Sequence, residues 1–486
     1  MKKSLFLVSA ITILQFGTFK VDAQQKTQPA SLFSRIDNYL TAGTENGFSG
    51  AIAVIRNGEV IINKGYGLAN KDTRVPNSPN TIFDIGSNTK QFTAAAILKL
   101  VELGKLSLDD PLSKYFSELP SEKTGITIHQ LLTHSAGFSE SIGRDFDEIS
   151  QEEFFKQLFL SELLFEPGTM YSYSNTGYSI LGRIIELASG LSYESFLSEY
   201  LFAPAGMKQT GYLLPKWEMR NMARGYNRNV LEMDPPITRY QEAGDLTWHL
   251  KANGGINATQ NDMLLWYKAL KTNVILSPES FKKISTPHVL APSGRFSYGY
   301  GWGVKNSEAN TLRLSHNGSN GTYSHSIIWY PEKDIFIVYA TNANSSEVEY
   351  LGHEVEKLIQ DESYTPEPIR NNVYSYTMEY IKQYTPDTSN NLIALLRENY
   401  PDEFSNSRLF NVMGNVLLRL DKELNWALEL FKLNVQRYPE DGNLWDSLGE
   451  GYLANDLKEA AIESFEKAIE LGYKDSQEKL AELKKE

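Results

Sequence analysis

Two stretches rich in β-branched and aromatic residues, 50–70 and 296–342, bracket a long interval of mainly helical pattern. In the first, AIAVIR and EVIINKGYG are separated by Asn57-Gly58, a dipeptide suited to the positive φ angles of a tight hairpin. In the second, GYGWGV, LRLSHNG, HSIIWYP and DIFIVYAT follow in turn, the last two joined by a Pro-Glu-Lys-Asp turn. Strand sets this far apart share one core most simply by pairing in one sheet, with the helical interval packed over it. The expected fold of residues 31–360 is therefore α+β: an antiparallel sheet built from both ends of the domain, flanked by helices, with a helical subdomain. Within the interval, Phe92, Ala95, Ile97, Leu98 and Val101 recur at helical spacing before a stop at Gly104.

The pattern changes near Thr365-Pro366-Glu367-Pro368-Ile369, a polar, proline-containing stretch expected to link two units over residues 361–371. Residues 372–486 read as almost wholly helical. Trp445, Leu448, Gly449, Tyr452, Ala461, Phe465 and Ala468 fall at the offsets of a tetratricopeptide repeat. Gly414, Leu417, Ala427, Phe431 and Pro439 fit the same scheme one repeat earlier, after a one-residue shift, and residues 372–407 have room for a third, degenerate helix pair. Small residues in such pairs let two helices approach closely, and large ones fill the space between.

With 486 residues the chain is too long for one ordinary core, in line with this division. A formal net charge of -13 repels phosphate backbones, so nucleic acid is not an expected partner. The chain has no cysteine, which excludes disulfides, thiolate catalysis and Cys-ligated zinc. Neither a metal nor a cofactor is expected. At the N-terminus Lys2 and Lys3 precede an apolar run from Leu5 to Leu14, and Val21-Asp22-Ala23 offers small residues for cleavage. Residues 1–23 read as a signal peptide, so an exported, periplasmic or secreted protein is expected, with no transmembrane span in the mature chain.

The candidate chemistry centres on Ser87-Asn88-Thr89-Lys90. A serine hydroxyl is a poor nucleophile until a neighbour takes its proton. A serine at a helix start and a lysine three residues on share one helical face. That ammonium stabilises developing negative charge or, with a lowered pKa, serves as the base. Such a four-residue pattern is common by chance, but two further motifs follow it in order. In Tyr173-Ser174-Asn175 a phenol beside a lysine can shuttle protons, and Asn175 can bond a substrate amide or Lys90. His316-Asn317-Gly318 ends the strand-like LRLSHNG, where a strand edge can offer N–H groups to an oxyanion. Gly318 would let substrate approach closely, and His316 could bind a substrate carboxylate or polarise Tyr173. His129 and His134 read as structural. The stretches 140–166, expected to be helical, and 211–244 are expected to shape the cleft.

S-x-x-K, Y-x-N and H-x-G in this order resemble the serine β-lactamase and penicillin-binding family. The similarity is greatest to its class C-like branch of D-alanyl-D-alanine carboxypeptidases, D-aminopeptidases and esterases. GKLSLDDPL, ITIHQLLTHSAGF, PGTMYSYSNTGYSILG and NGGINATQNDM also resemble that family's framework. The resemblance implies an acyl-enzyme on Ser87, with its proton handled by Lys90 and Tyr173, and Tyr173 activating the deacylating water. It implies an oxyanion hole from the N–H groups of Ser87 and Ser319, and substrate positioning by Asn175. Two departures stand out. His316 replaces the lysine of the K-T-G motif of class C β-lactamases, and the following SNGTYS is one residue shorter than usual. The first favours an esterase or D-peptidase over an efficient β-lactamase, because a neutral imidazole holds a carboxylate less firmly than an ammonium. The expected substrates are small esters, peptides or β-lactams. A catalytically inert protein that recruits a protein partner through its repeats is the reading outside enzymology.

Overall fold

The computed structural model describes residues 31–306 and 311–485; the signal-peptide expectation falls on residues outside them. The sheet has eight antiparallel strands. From one edge these are Val289–Leu290, Ser297–Tyr298, Gly303–Asn306, Leu312–Ser319, Ser324–Tyr330, Ile335–Thr341, Gly50–Arg56 and Glu59–Tyr66. The two ends of the domain meet where Gly50–Arg56 pairs with Ile335–Thr341, in register from Gly50 with Thr341 to Arg56 with Ile335. Asn57 and Gly58 both take positive φ, 54° and 81°, so the first hairpin closes with the twist that its two strands require.

The central strands read as unbroken apolar runs because helices cover both faces of the sheet. Ile52 and Val54 enter one core with Ile337 and Tyr339, beneath the helices Leu32–Thr44 and Leu351–Gln360. Ala53 and Ile55 enter the other with Phe336 and Val338. That second core also takes Phe92, Ala95 and Leu98 of the helix Thr89–Glu102 and Ile180, Leu181 and Ile184 of Asn175–Ser189. Around the small residues Ala94, Ala95 and Ala96 the first of these helices is buried from Thr89 to Leu98. It therefore holds a fixed place behind the sheet.

The stretch 140–166 departs from its expected helix. Only Gln151–Leu160 is helical, capped by Ser150. Before it the chain is pinned in an irregular path: Gly143 packs so tightly on His249 that a Cβ there would lie 2.3 Å from its ring. The backbone carbonyl of Glu140 also accepts from the N–H of Asn175 at 2.9 Å.

Beyond residues 361–372, which carry no helix, the chain forms Val373–Gln383, Ser389–Asn399, Arg408–Leu420, Leu424–Arg437, Gly442–Leu453 and Lys458–Glu470, with Ser476–Leu483 after them. Their core is separate from the two at the sheet. This helical unit touches the first at the hairpin formed by Gly225–Asn227 and Leu231–Met233. Val230 and Leu231 pack on the helical core, Asn229 donates to the Ser375 hydroxyl at 3.0 Å, and Arg228 lies over the Tyr374 ring.

Candidate active site

Asp84 ends a short strand, Ile82–Asp84, and Gly86 follows with φ 51°. A positive φ turns the chain sharply, and Ser87 comes out on the single turn Gly86–Asn88 at the head of the helix Thr89–Glu102. Lys90 lies one turn along that helix and is fully buried. Its Nζ sits 3.2 Å from the Ser87 Oγ and donates to Asn175 Oδ1 at 2.7 Å and to the backbone carbonyl of Asn253 at 2.8 Å. Asn253 is itself fixed by donating to the Ser179 hydroxyl and the His249 carbonyl. Burial drives the Lys90 pKa well below its ordinary value, against the opposing pull of Asp145 and Glu140.

The Tyr173 ring lies 4.6 Å from Lys90 Nζ. Burial raises the Tyr173 pKa, and the hydrogen bond with Ser87 only partly offsets that. The neighbouring lysine does not hold this phenol near ionisation at rest: the lysine is buried too, and desolvation is the largest influence on both groups. Behind Tyr173 stands His134, at a ring separation of 4.4 Å, accepting the Ser174 N–H at its Nδ1. His134 is structural in that it fixes the Tyr173 loop.

Gly318 and Gly86 interlock. A Cβ on Gly318 would lie 2.1 Å from the Ile85 carbonyl oxygen and 2.7 Å from the Ser87 nitrogen. One on Gly86 would lie 2.6 Å from the Ser319 nitrogen. The strand Leu312–Ser319 can approach the Ser87 turn this closely only because both residues lack a side chain, and the nitrogens of Ser87 and Ser319 both border that contact. The Ser319 hydroxyl accepts from the Gly321 N–H and the Asn344 amide, each at 3.2 Å.

His316 lies on the same strand, its ring 6.3 Å from that of Tyr173. Its nitrogens are committed elsewhere. Nδ1 is 2.7 Å from the Asn317 carbonyl, which can only accept, so it carries the proton; Nε2 then accepts from the Tyr298 hydroxyl at 2.9 Å. Burial, reinforced by Lys90, pushes the His316 pKa down to about 3, so the ring is neutral.

The structure thus gathers Ser87, Lys90, Tyr173, Asn175, His316, Gly318 and Ser319 at one place. Sequence reasoning missed Tyr298 and Asn253 as members of that group, and Asp84 as its support. Asp84 accepts from the Gly86 N–H at 2.7 Å and from Asn320 at 3.2 Å, tying the Ser87 turn to the loop after Ser319. The Asn253-Gly254-Gly255 triplet was a usable signal, since paired glycines mark a close backbone approach. Tyr298 had none, being one tyrosine among 27.

The sequence model of the family described as Beta-lactamase matches residues 36–360. The chain belongs to this family. Among its relatives, the protein PbpX of Bacillus subtilis is 35% identical over 253 residues, 52% of this chain and 62% of PbpX. Penicillin-binding protein 4* of the same organism is 28% identical over 316 residues, 62% of this chain and 70% of the relative. The chain thus spans about two thirds of the length of these relatives. Among solved structures, the octameric penicillin-binding protein homologue of Pyrococcus abyssi is 28% identical, with a TM-score of 0.59, over 72% of this chain and 82% of its own. The α+β unit therefore has the fold of β-lactamases and transpeptidases. In this member of the Beta-lactamase family, the three motifs legible in the sequence meet where the interior strand Leu312–Ser319 passes the Ser87 turn.

Proposed function

We propose that the chain is a serine hydrolase that works through an acyl-enzyme on an ester or a D-amino-acid peptide. The observation that carries this reading is the setting of Lys90. Two of its N–H groups are held by Asn175 and Asn253, and burial favours the neutral amine. A neutral amine held this way aims its lone pair at the Ser87 Oγ. As Ser87 attacks the carbonyl carbon, its proton passes to Lys90. The N–H groups of Ser87 and Ser319 take the oxyanion. The Tyr173 O–H then protonates the leaving atom as its bond to carbon breaks, and Tyr173 recovers a proton from the Lys90 ammonium. Water, activated by Tyr173, releases the acyl group. Asn175 positions the substrate as well as Lys90. A neutral His316 gives poor purchase on a carboxylate, which supports an esterase or peptidase over a β-lactamase.

The helical unit reads as a stack of tetratricopeptide-like repeats. Its contacts with the hairpin 225–233 support a buttress in addition to any recruiting role. Among the described residues no helix is long and apolar enough to cross a membrane; export is proposed on the N-terminal pattern and on the penicillin-binding relatives.

A fluorophosphonate probe tests the reading. It is expected to label the wild-type chain and not Ser87→Ala. Absence of label on folded wild-type protein would end the hydrolase reading.

A further inference from the structure

Tyr173 and His316 form part of the wall of a pocket of about 270 Å³. Its walls are the rings of Tyr171, Phe296 and Tyr298, and its polar groups include Ser315, Asn317 and His353. The group that protonates a leaving atom must touch it. With Tyr173 in that role, the leaving group departs on the Tyr173 side of Ser87, toward this pocket. The geometry points to a leaving-group subsite that selects an uncharged, single-ring aromatic alcohol or amine over one bearing a carboxylate. This rests on the proposed hydrolase reading and names the substrate class within it.

Three observations carry it. Its volume lies below the range of about 300–1,000 Å³ that holds drug-sized ligands, so a one-ring fragment suits it. Three aromatic walls favour stacked or edge-on ring contacts. Among the described residues that line it, none is Lys, Arg, Asp or Glu. A cation is close, but it is spoken for. Arg313 donates to the Ser315 hydroxyl at 2.8 Å and grips both oxygens of Glu356, at 2.6 and 2.9 Å. His353 lies 3.2 Å from that same Glu356 carboxylate. His316 has one nitrogen on a backbone carbonyl and accepts the Tyr298 O–H at the other. A leaving-group carboxylate entering here would lose its water without gaining a free cation, which is costly.

The test uses the full-length chain and three butyrate esters. Phenyl butyrate and 3-carboxyphenyl butyrate release phenols of similar acidity, so their difference reports the pocket and not the chemistry. Methyl butyrate releases a group too small to reach it. The phenyl ester is expected to exceed the carboxyphenyl ester in kcat/KM by about tenfold or more. Phe296→Ala is expected to erode the phenyl rate several-fold more than the methyl butyrate rate. Asn317→Arg is expected to shift preference toward the carboxylate. If the probe labels Ser87 but the two aryl esters react equally, the carboxylate reacts faster, or neither reacts, the subsite is overturned and the hydrolase reading stands. If Ser87 takes no label, the hydrolase reading itself falls.

Discussion

Lys90 has two uses open to it beside the proposed nucleophile Ser87, as a charge or as a base, and only one survives replacement by arginine. Guanidinium keeps the charge and does not lose its proton. Lys90→Arg is therefore expected to lower kcat by about 100-fold or more, while Ser87 stays present in a folded chain; a rate near wild type would assign Lys90 a purely electrostatic role. Gly318→Ala makes a different test. Its Cβ would collide with the Ile85 carbonyl at 2.1 Å, displacing the strand from the Ser87 turn and with it one proposed oxyanion donor. A loss of about 100-fold or more in kcat/KM is expected, measurable on an aryl ester beside a thermal melt. The buried histidines set the pH response. His316 and His325 are both pushed by burial to about 3 and stay neutral in the fold. Unfolded, each takes a proton near its ordinary value of 6.5. The stability they contribute is full above about pH 6.5 and drains away as pH falls toward 3. Asp84, raised to about 6 by burial, works in the other direction: its contribution is full below about pH 3.8 and is lost as pH rises through 6. Urea midpoints at pH 7, 5.5 and 4 are expected to fall with pH. His325→Asn is expected to flatten that fall by about one proton, ~1.4 kcal/mol per pH unit; an unchanged slope would mean that His325 is charged in the fold.

At the scale of elements, the C-terminal helices pack through glycines set against phenylalanines. A Cβ on Gly449 would lie 2.6 Å from the Phe465 ring, and one on Gly414 would lie 2.4 Å from Phe431. Both pairs stood out in the sequence by spacing alone, and the helices Gly442–Leu453 and Lys458–Glu470 meet along the Gly449–Phe465 line. Overfilling it with Gly449→Val is expected to cost about 1–3 kcal/mol, read as a lower denaturation midpoint for the helical unit. Elements were harder to read where long-range contacts override local pattern. The stretch 140–150 has polar and apolar residues at helix-like intervals. It is held open instead by Gly143 against His249 and by the bond from Asn175 to the Glu140 carbonyl. Neither partner is near it in sequence.

At the scale of the whole molecule, the hairpin 225–233 is a contact between the two units. Asn227, paired with Leu231 at the turn end of the hairpin, donates to the Gly321 carbonyl at 3.0 Å, in the loop after Ser319. Val230 and Leu231 at its tip pack on the helical core. A strut thus runs from the repeats to the strand that carries the proposed oxyanion donor. Leu231→Asp places a charge in that contact and is expected to loosen it, cleaving the 361–372 link faster under limited proteolysis and lowering kcat several-fold with Ser87 still labelled. Unchanged proteolysis and rate would make the contact incidental.

The sequence by itself determined the sheet built from both ends of the α+β domain and the order of the three motifs. These depend on local rules: turn chemistry, side-chain periodicity, and residues whose reactivity is intrinsic. Only the tertiary structure decided the protonation of the site, the commitment of His316 to Tyr298, and the neutral aromatic pocket beyond it. Burial sets those, and burial is the sum of contacts from segments hundreds of residues apart. A lysine that looks cationic in the sequence has its pKa driven well below the ordinary value by burial, even with Asn175, Asn253 and Ser87 gathered around its Nζ.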